Sequence, residues 1–135
     1  MVATMSALFR KLNLGNHDVI HVLNAPDSFE PQLAQLSNVT IKRTLSSRVD
    51  FAMAFVITQK DLDAASTKLV KSAEGDAIVW MVYPKGSSKK YKCKFNRDTG
   101  WQVLKKAGFD TVRMVAIDED WSALRFRRVE YIKAK

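Results

Sequence analysis

The sequence predicts one α/β domain in three layers, a mainly parallel six-stranded sheet between two sets of helices. Two runs, Val49 to Thr58 (VDFAMAFVIT) and Asp76 to Tyr83 (DAIVWMVY), are almost wholly apolar, the pattern of strands covered on both faces. Between such runs lie segments with helical spacing, each closed by glycine, proline or asparagine, so strands and helices alternate. The last two β-rich runs are joined only by Asp118-Glu119-Asp120-Trp121, too short for a parallel crossover, so they must form an antiparallel hairpin. At 135 residues the chain is the size of a single domain, 1–135.

Taken in order, Thr4 or Ser6 caps a short helix carrying Leu8, Phe9 and Leu12, and Gly15 ends it. Asp18 to Leu23 (DVIHVL) is a strand broken by Asn24-Ala25-Pro26-Asp27. Ser28 then caps a helix with Pro31 in its first turn, where a missing N–H costs little, and with Leu33 and Leu36 inward. Asn38 to Leu45 alternates Val39, Ile41 and Arg43 with Thr40, Lys42 and Thr44, as a strand near the sheet edge does. After the Val49 run, Thr58 and Asp61 have capping-box spacing, and Leu62, Ala65, Leu69, Val70 and Ala73 fall on one stripe before Gly75. Asp98 or Thr99 opens a helix with Trp101, Leu104 and Ala107 inward, closed by Gly108. Strands at Thr111 to Ile117 and Ser122 to Val129 complete the chain.

With 47% hydrophobic and 27% charged residues, the composition is that of a globular protein. The longest apolar run, Ala77 to Val82, is far short of the roughly 20 residues that cross a bilayer. In Met1 to Asn13 an apolar patch precedes Arg10 and Lys11, the reverse of a signal peptide, so the expected location is the cytoplasm and no membrane partner is expected. One cysteine, Cys93, excludes an internal disulfide. The lysines around it, Lys90, Lys92 and Lys94, would lower its pKa, although an incidental thiol in a solvated loop is the preferred reading. A net charge of +8 favours encounters with anions.

No complete catalytic motif is present. The turn Leu23 to Ser28 has no glycine and places Pro26 where a backbone donor would serve a pyrophosphate, which argues against ordinary dinucleotide or S-adenosylmethionine binding; no cofactor is expected. Lys85-Gly86-Ser87-Ser88 has the residue types of a phosphate loop in the wrong order. In the basic loop, Lys85, Lys89, Lys90, Lys92, Lys94 and Arg97 alternate with Tyr91 and Phe95, which fits a solvated flap or, as the alternative, a surface that holds phosphates and stacks bases. The carboxylates Asp118, Glu119 and Asp120 suit a hairpin turn, with a catalytic or metal role as the alternative. His17 and His21, four apart around a strand start, share a face if that strand is regular, but two histidines do not make a metal site.

Trp80 to Lys85 (W-x-x-YPK), Asn96-Arg97-Asp98, Asp118 to Arg127 (D-x-x-WSALRFR) and Val22 to Pro26 together resemble an uncharacterised family of small bacterial proteins, a domain of unknown function, over nearly the whole chain. No activity comes with that resemblance. The order of elements also resembles a Rossmann-like methyltransferase sheet that has lost strands from its first half and its glycine-rich loop but kept the reversed last strand, which implies the strand order 2-1-3-4-6-5. From these residues the expectation is a non-catalytic Rossmann-like module that binds an anionic small molecule or partner at the carboxyl edge of the sheet. Asn24 would give hydrogen bonds, Lys85 and Arg97 charge, Tyr83 or Trp121 a stacking surface, with Trp101 nearby. The alternatives are nucleic-acid binding through Lys89, Lys90, Lys92, Lys94, Arg125 and Arg127, an enzyme using Asp118 to Asp120, and a homodimer formed through the terminal hairpin.

Overall fold

The computed structural model describes residues 7–45, 48–93, 95 and 99–132. Helix α1 (Ala7–Lys11) leads into β1 (Val19–Leu23), then a 3-10 turn (Asp27–Phe29) and α2 (Glu30–Ala34). There follow β2 (Thr40–Lys42), β3 (Val49–Phe55), α3 (Gln59–Ser72), β4 (Ala73–Pro84), α4 (Gln102–Lys106), β5 (Phe109–Ala116), β6 (Trp121–Arg128) and α5 (Val129–Ile132). The six strands form one sheet in the order β2-β1-β3-β4-β6-β5. Strands β2, β1, β3 and β4 run parallel, and β6 enters antiparallel between β4 and β5. The two apolar runs are therefore adjacent and parallel, Phe51 opposite Ile78 and Phe55 opposite Val82.

Each sheet face carries its own buried cluster, because side chains alternate along every strand. On the first face, Phe9, Leu12 and Leu14 of the α1 region and Phe29 and Leu33 of the α2 region pack on Ile20, Val22, Phe51, Met53, Phe55, Trp80 and Trp121. On the second, Leu62, Ala65 and Leu69 of α3 and Leu104 of α4 pack on Ala52, Ala54, Val79, Met81, Leu124 and Phe126. Trp80, fully buried, donates its indole N–H to the Leu12 carbonyl at 2.9 Å and so fastens the chain after α1 to the sheet. At the start of α3 the capping box is complete: Thr58 Oγ1 accepts from Asp61 N at 3.0 Å and Asp61 Oδ2 accepts from Thr58 N at 3.5 Å.

Several element boundaries differ from expectation. Ser28 is not a helix cap, because the 3-10 turn after Pro26 places Phe29 at the start of α2. Strand β2 shrinks to three residues, paired on one side only. Gly75 does not end α3; the helix stops at Ser72, and Gly75 (φ 57°) lies inside β4, where the register jumps from Val49↔Ala73 to Phe51↔Ile78. A left-handed backbone is needed to absorb those extra residues, and glycine adopts it without penalty. Trp101 is the residue before α4, and the Thr4, Ser6 and Asp98 caps fall outside the described residues.

One connection positions the candidate site. Residues 43–48 alone link the end of β2 to the start of β3, across β1. Parallel crossovers ordinarily need about a dozen residues and carry a helix; a link this short is feasible because β2 is only three residues long. Among the described residues no helix covers this part of the second face beside α3.

Candidate functional site

The carboxyl edge of the sheet is largely closed by the chain that follows β4. Lys85 N donates to the Asp120 carbonyl at 2.8 Å, and Ser88 Oγ donates to Asp120 Oδ1 at 2.7 Å, which fixes the basic loop against the β5–β6 turn. Tyr91 then packs on Trp121 (4.9 Å between ring centres), and Trp121 on Phe55 (5.3 Å), in the first layer. In the second layer Tyr83, Phe95 and Trp101 form a mutual ring cluster at 5.4–5.9 Å. Tyr83, Trp101 and Trp121 are thus buried, two on one side of the sheet and one on the other, and no ring of the three is presented for stacking. Lys85 is half-buried and Asn24 exposed, while Arg97 and Lys94 lie outside the described residues.

The basic and arginine segments do not make one surface. Lys89, Lys90 and Lys92 are exposed in the loop at the carboxyl edge, Lys90 over the Tyr91 ring. Arg125 and Arg127 lie toward the other end, since β6 runs back from Trp121, opposite Pro84, to Arg125, opposite Trp80. Four residues of strand separate the two levels by roughly 13 Å.

The acidic turn has structural duties. Asp118 Oδ1 accepts from the backbone N–H groups of Asp120 (2.8 Å) and Trp121 (2.9 Å), a side-chain turn closure, while Asp120 holds Ser88. His17 and His21 do not converge: His17 packs on Phe51 of the first layer, whereas His21 alternates with Ile20 and Val22 and faces the second. Among the described residues no three metal-ligating side chains group together. Burial pushes the Cys93 thiol up, opposite to the lowering that its lysine neighbours suggested.

The concave site lies beside α3, next to the short link from β2 to β3. A groove of about 410 Å³ is lined by Leu23 and Asn24 at the end of β1, by Arg43, Thr44 and Leu45 beyond β2, and by Lys68, Lys71 and Ser72 of α3. No carboxylate, histidine or cysteine lines it. Arg43 is held in a two-point contact with Glu30 (2.8 Å each), whereas Lys68 and Lys71 have no acidic partner among the described residues. The groove is therefore net positive. Asn24 takes a left-handed backbone (φ 59°), a conformation that glycine supplies in phosphate-binding turns and that asparagine tolerates. Arg43 entered the sequence reading only as part of an edge strand, and the two lysines did not enter it. The shortness of the link between the β2 and β3 runs was the available signal. A second cleft, between His17, Arg48, Asp50, Glu74 and Asp76, contains its own ion pairs from Arg48 to Asp50 and Glu74.

No protein-family model matches the chain, and no curated protein matches it. Solved structures do. A putative type 11 methyltransferase from Sulfolobus solfataricus superposes with a TM-score of 0.62 at 8% identity, over 90% of this chain and 89% of that one. A SAM dependent methyltransferase from Aquifex aeolicus gives 0.53 at 12%, over 88% and 86%. The N-methyltransferase NodS from Bradyrhizobium japonicum, in complex with S-adenosyl-L-homocysteine, gives 0.55 at 11%, over 89% and 83%. The fold is a methyltransferase-like Rossmann sheet. The resemblance to a bacterial family of unknown function has no family match behind it, so the fold-level part is what stands. Because this fold is shared with methyltransferases, the expectation of a clearly non-catalytic module is corrected. Among the described residues no helix is long and apolar enough to cross a membrane.

Proposed function

We propose that the protein is an enzyme acting on a small anionic molecule, which it holds in the groove between Asn24, Arg43, Lys68 and Lys71. The observation that carries the reading is the unmatched positive charge of the groove, which runs along the second face from Asn24 at the carboxyl end of β1 to the last turns of α3, where Lys68 and Lys71 have no acidic partner among the described residues. Lys68 and Lys71 supply charge, Arg43 is oriented by Glu30, and Asn24 offers a side-chain amide and a turned backbone. With no carboxylate or imidazole in the lining, the site favours group transfer driven by alignment of two reactants over acid–base chemistry.

The lining also bears on the adenosyl ligands of the fold. Sheets of this kind that bind a free ribose place an acidic residue about 20 positions after the first turn, and an arginine there when the sugar carries phosphate. Arg43 stands in that place, and Pro26 removes one backbone donor from the turn. These residues fit a phosphate-bearing molecule and do not fit an adenosyl donor with a free ribose.

Thermal-shift measurements with phosphorylated metabolites, nucleotides, S-adenosylmethionine and S-adenosylhomocysteine test the reading. A phosphorylated compound is expected to stabilise the protein, with the gain lost in Lys68→Glu/Lys71→Glu. If every compound leaves the melting temperature unchanged, or the double variant responds like the wild type, the groove is not the site.

A further inference from the structure

Apart from the groove, the first face of the sheet carries three arginines at the β6–β5 end. Arg125 and Arg113 are direct partners in the antiparallel pair and so project from the same face, with Cβ atoms about 5 Å apart. Arg127, two residues along β6, shares that face. Its charge is matched, since Nε and a terminal nitrogen meet the two Asp76 oxygens at 2.7 and 2.6 Å. Asp110, opposite Arg127, turns one oxygen to the N–H of Thr111 at 2.8 Å. Arg113 donates to the Asn13 amide oxygen at 3.5 Å and has no ion-pair partner among the described residues. The Nε of Arg125 is buried without a hydrogen-bond partner. Two arginines are thus cross-strand partners on one face, and the carboxylate that acts on Arg125, Asp76, is itself engaged by Arg127.

Like charges placed directly across a sheet are destabilising, and a buried donor without an acceptor adds to that cost. Burial first, then the charges of Arg127 and Arg113, work against the ionised form of Arg125, and Asp76 offsets them in part. A planar guanidinium has two donor edges, so an anion can meet the accessible amino groups of Arg125 and Arg113 together, a geometry suited to tetrahedral oxyanions. We propose that Arg113 and Arg125 form a second anion site, one that holds a phosphate group on the first face of β6 and β5.

The test uses inorganic phosphate at constant ionic strength, read through the arginine Nε–Hε NMR signals. Those of Arg113 and Arg125 should shift saturably with phosphate and not with chloride. Arg113→Gln, on an exposed strand position, should weaken phosphate at least tenfold yet raise the melting temperature in phosphate-free buffer, because repulsion is relieved. Lys68→Glu/Lys71→Glu should leave this response intact, which separates it from the groove. Unmoved signals, equal shifts with chloride, or unaltered affinity in Arg113→Gln would overturn the proposal. A response to a short RNA but none to phosphate would do so as well, since it would mean a polyanion surface in place of a phosphate site.

Discussion

Replacing Trp80 by phenylalanine tests how the first layer is fastened to the sheet. Trp80 is fully buried at the centre of β4, and its N–H is the donor to the Leu12 carbonyl, 68 positions away in sequence. Phenylalanine keeps the aromatic contact but leaves that carbonyl buried without a partner, which costs about 1–3 kcal/mol. The ring atoms removed amount to two or three methylene-sized groups, about 2 kcal/mol at roughly 0.8 kcal/mol each. The sum, about 3–5 kcal/mol, is a large part of the 5–15 kcal/mol typical of a domain. Urea denaturation should show this loss with an unchanged slope, and the melting temperature should fall by about 10 °C or more. Amide exchange of Leu12 and Leu14, whose N–H groups bond back to Leu8 and Phe9, should accelerate beyond the global change. A loss under about 1 kcal/mol, or exchange that rises uniformly, would refute the reasoning.

Thr58→Ala removes one half of a complete capping box and should cost about 1 kcal/mol in denaturant titrations, with Thr58→Asn restoring most of it. Gly100→Ala should be more damaging, about 2–4 kcal/mol: φ is 97°, and a new Cβ would lie 2.7 Å from Phe95 Cβ and 2.9 Å from Gln59 Oε1, so both strain and overpacking oppose it; a melting temperature equal to wild type would contradict this. His21 is buried and desolvation lowers its pKa, so the unfolded chain binds a proton that the folded chain resists. Stability should therefore fall as pH drops below about 6.5, and His21→Gln should flatten the slope between pH 7 and 5. Asp76 behaves as a paired carboxylate, its pKa lowered chiefly by the hydrogen bonds from Arg127. Its contribution is present above about pH 4 and lost on acidification through the depressed value; Asp76→Asn should remove that acid-side loss, and added salt should shrink the difference.

The sheet was legible because burial on both faces leaves no alternative to apolar runs such as Phe51 to Phe55 and Ala77 to Val82, and because a four-residue link dictates an antiparallel pair. Edges were harder. Thr40 to Lys42 is all that remains of an eight-residue alternation, since an edge strand gains ladder bonds on one side only. The aromatics at the carboxyl edge misled for a different reason. Tyr83, Trp101 and Trp121 stand where strands or helices end, but the segment after β4 folds back and seals them, Tyr91 from one side and Phe95 from the other. The groove was not legible because its lining comes from three segments distant in sequence, the end of β1, the residues after β2 and the last turns of α3.

With the groove as the proposed binding site, the length of one connection becomes a determinant of ligand size. Chains built on this sheet but longer between Leu45 and Arg48 would narrow or roof the cleft without altering a single strand. Selectivity could then diverge by insertion at one place, while the layers that keep the protein folded stay as they are.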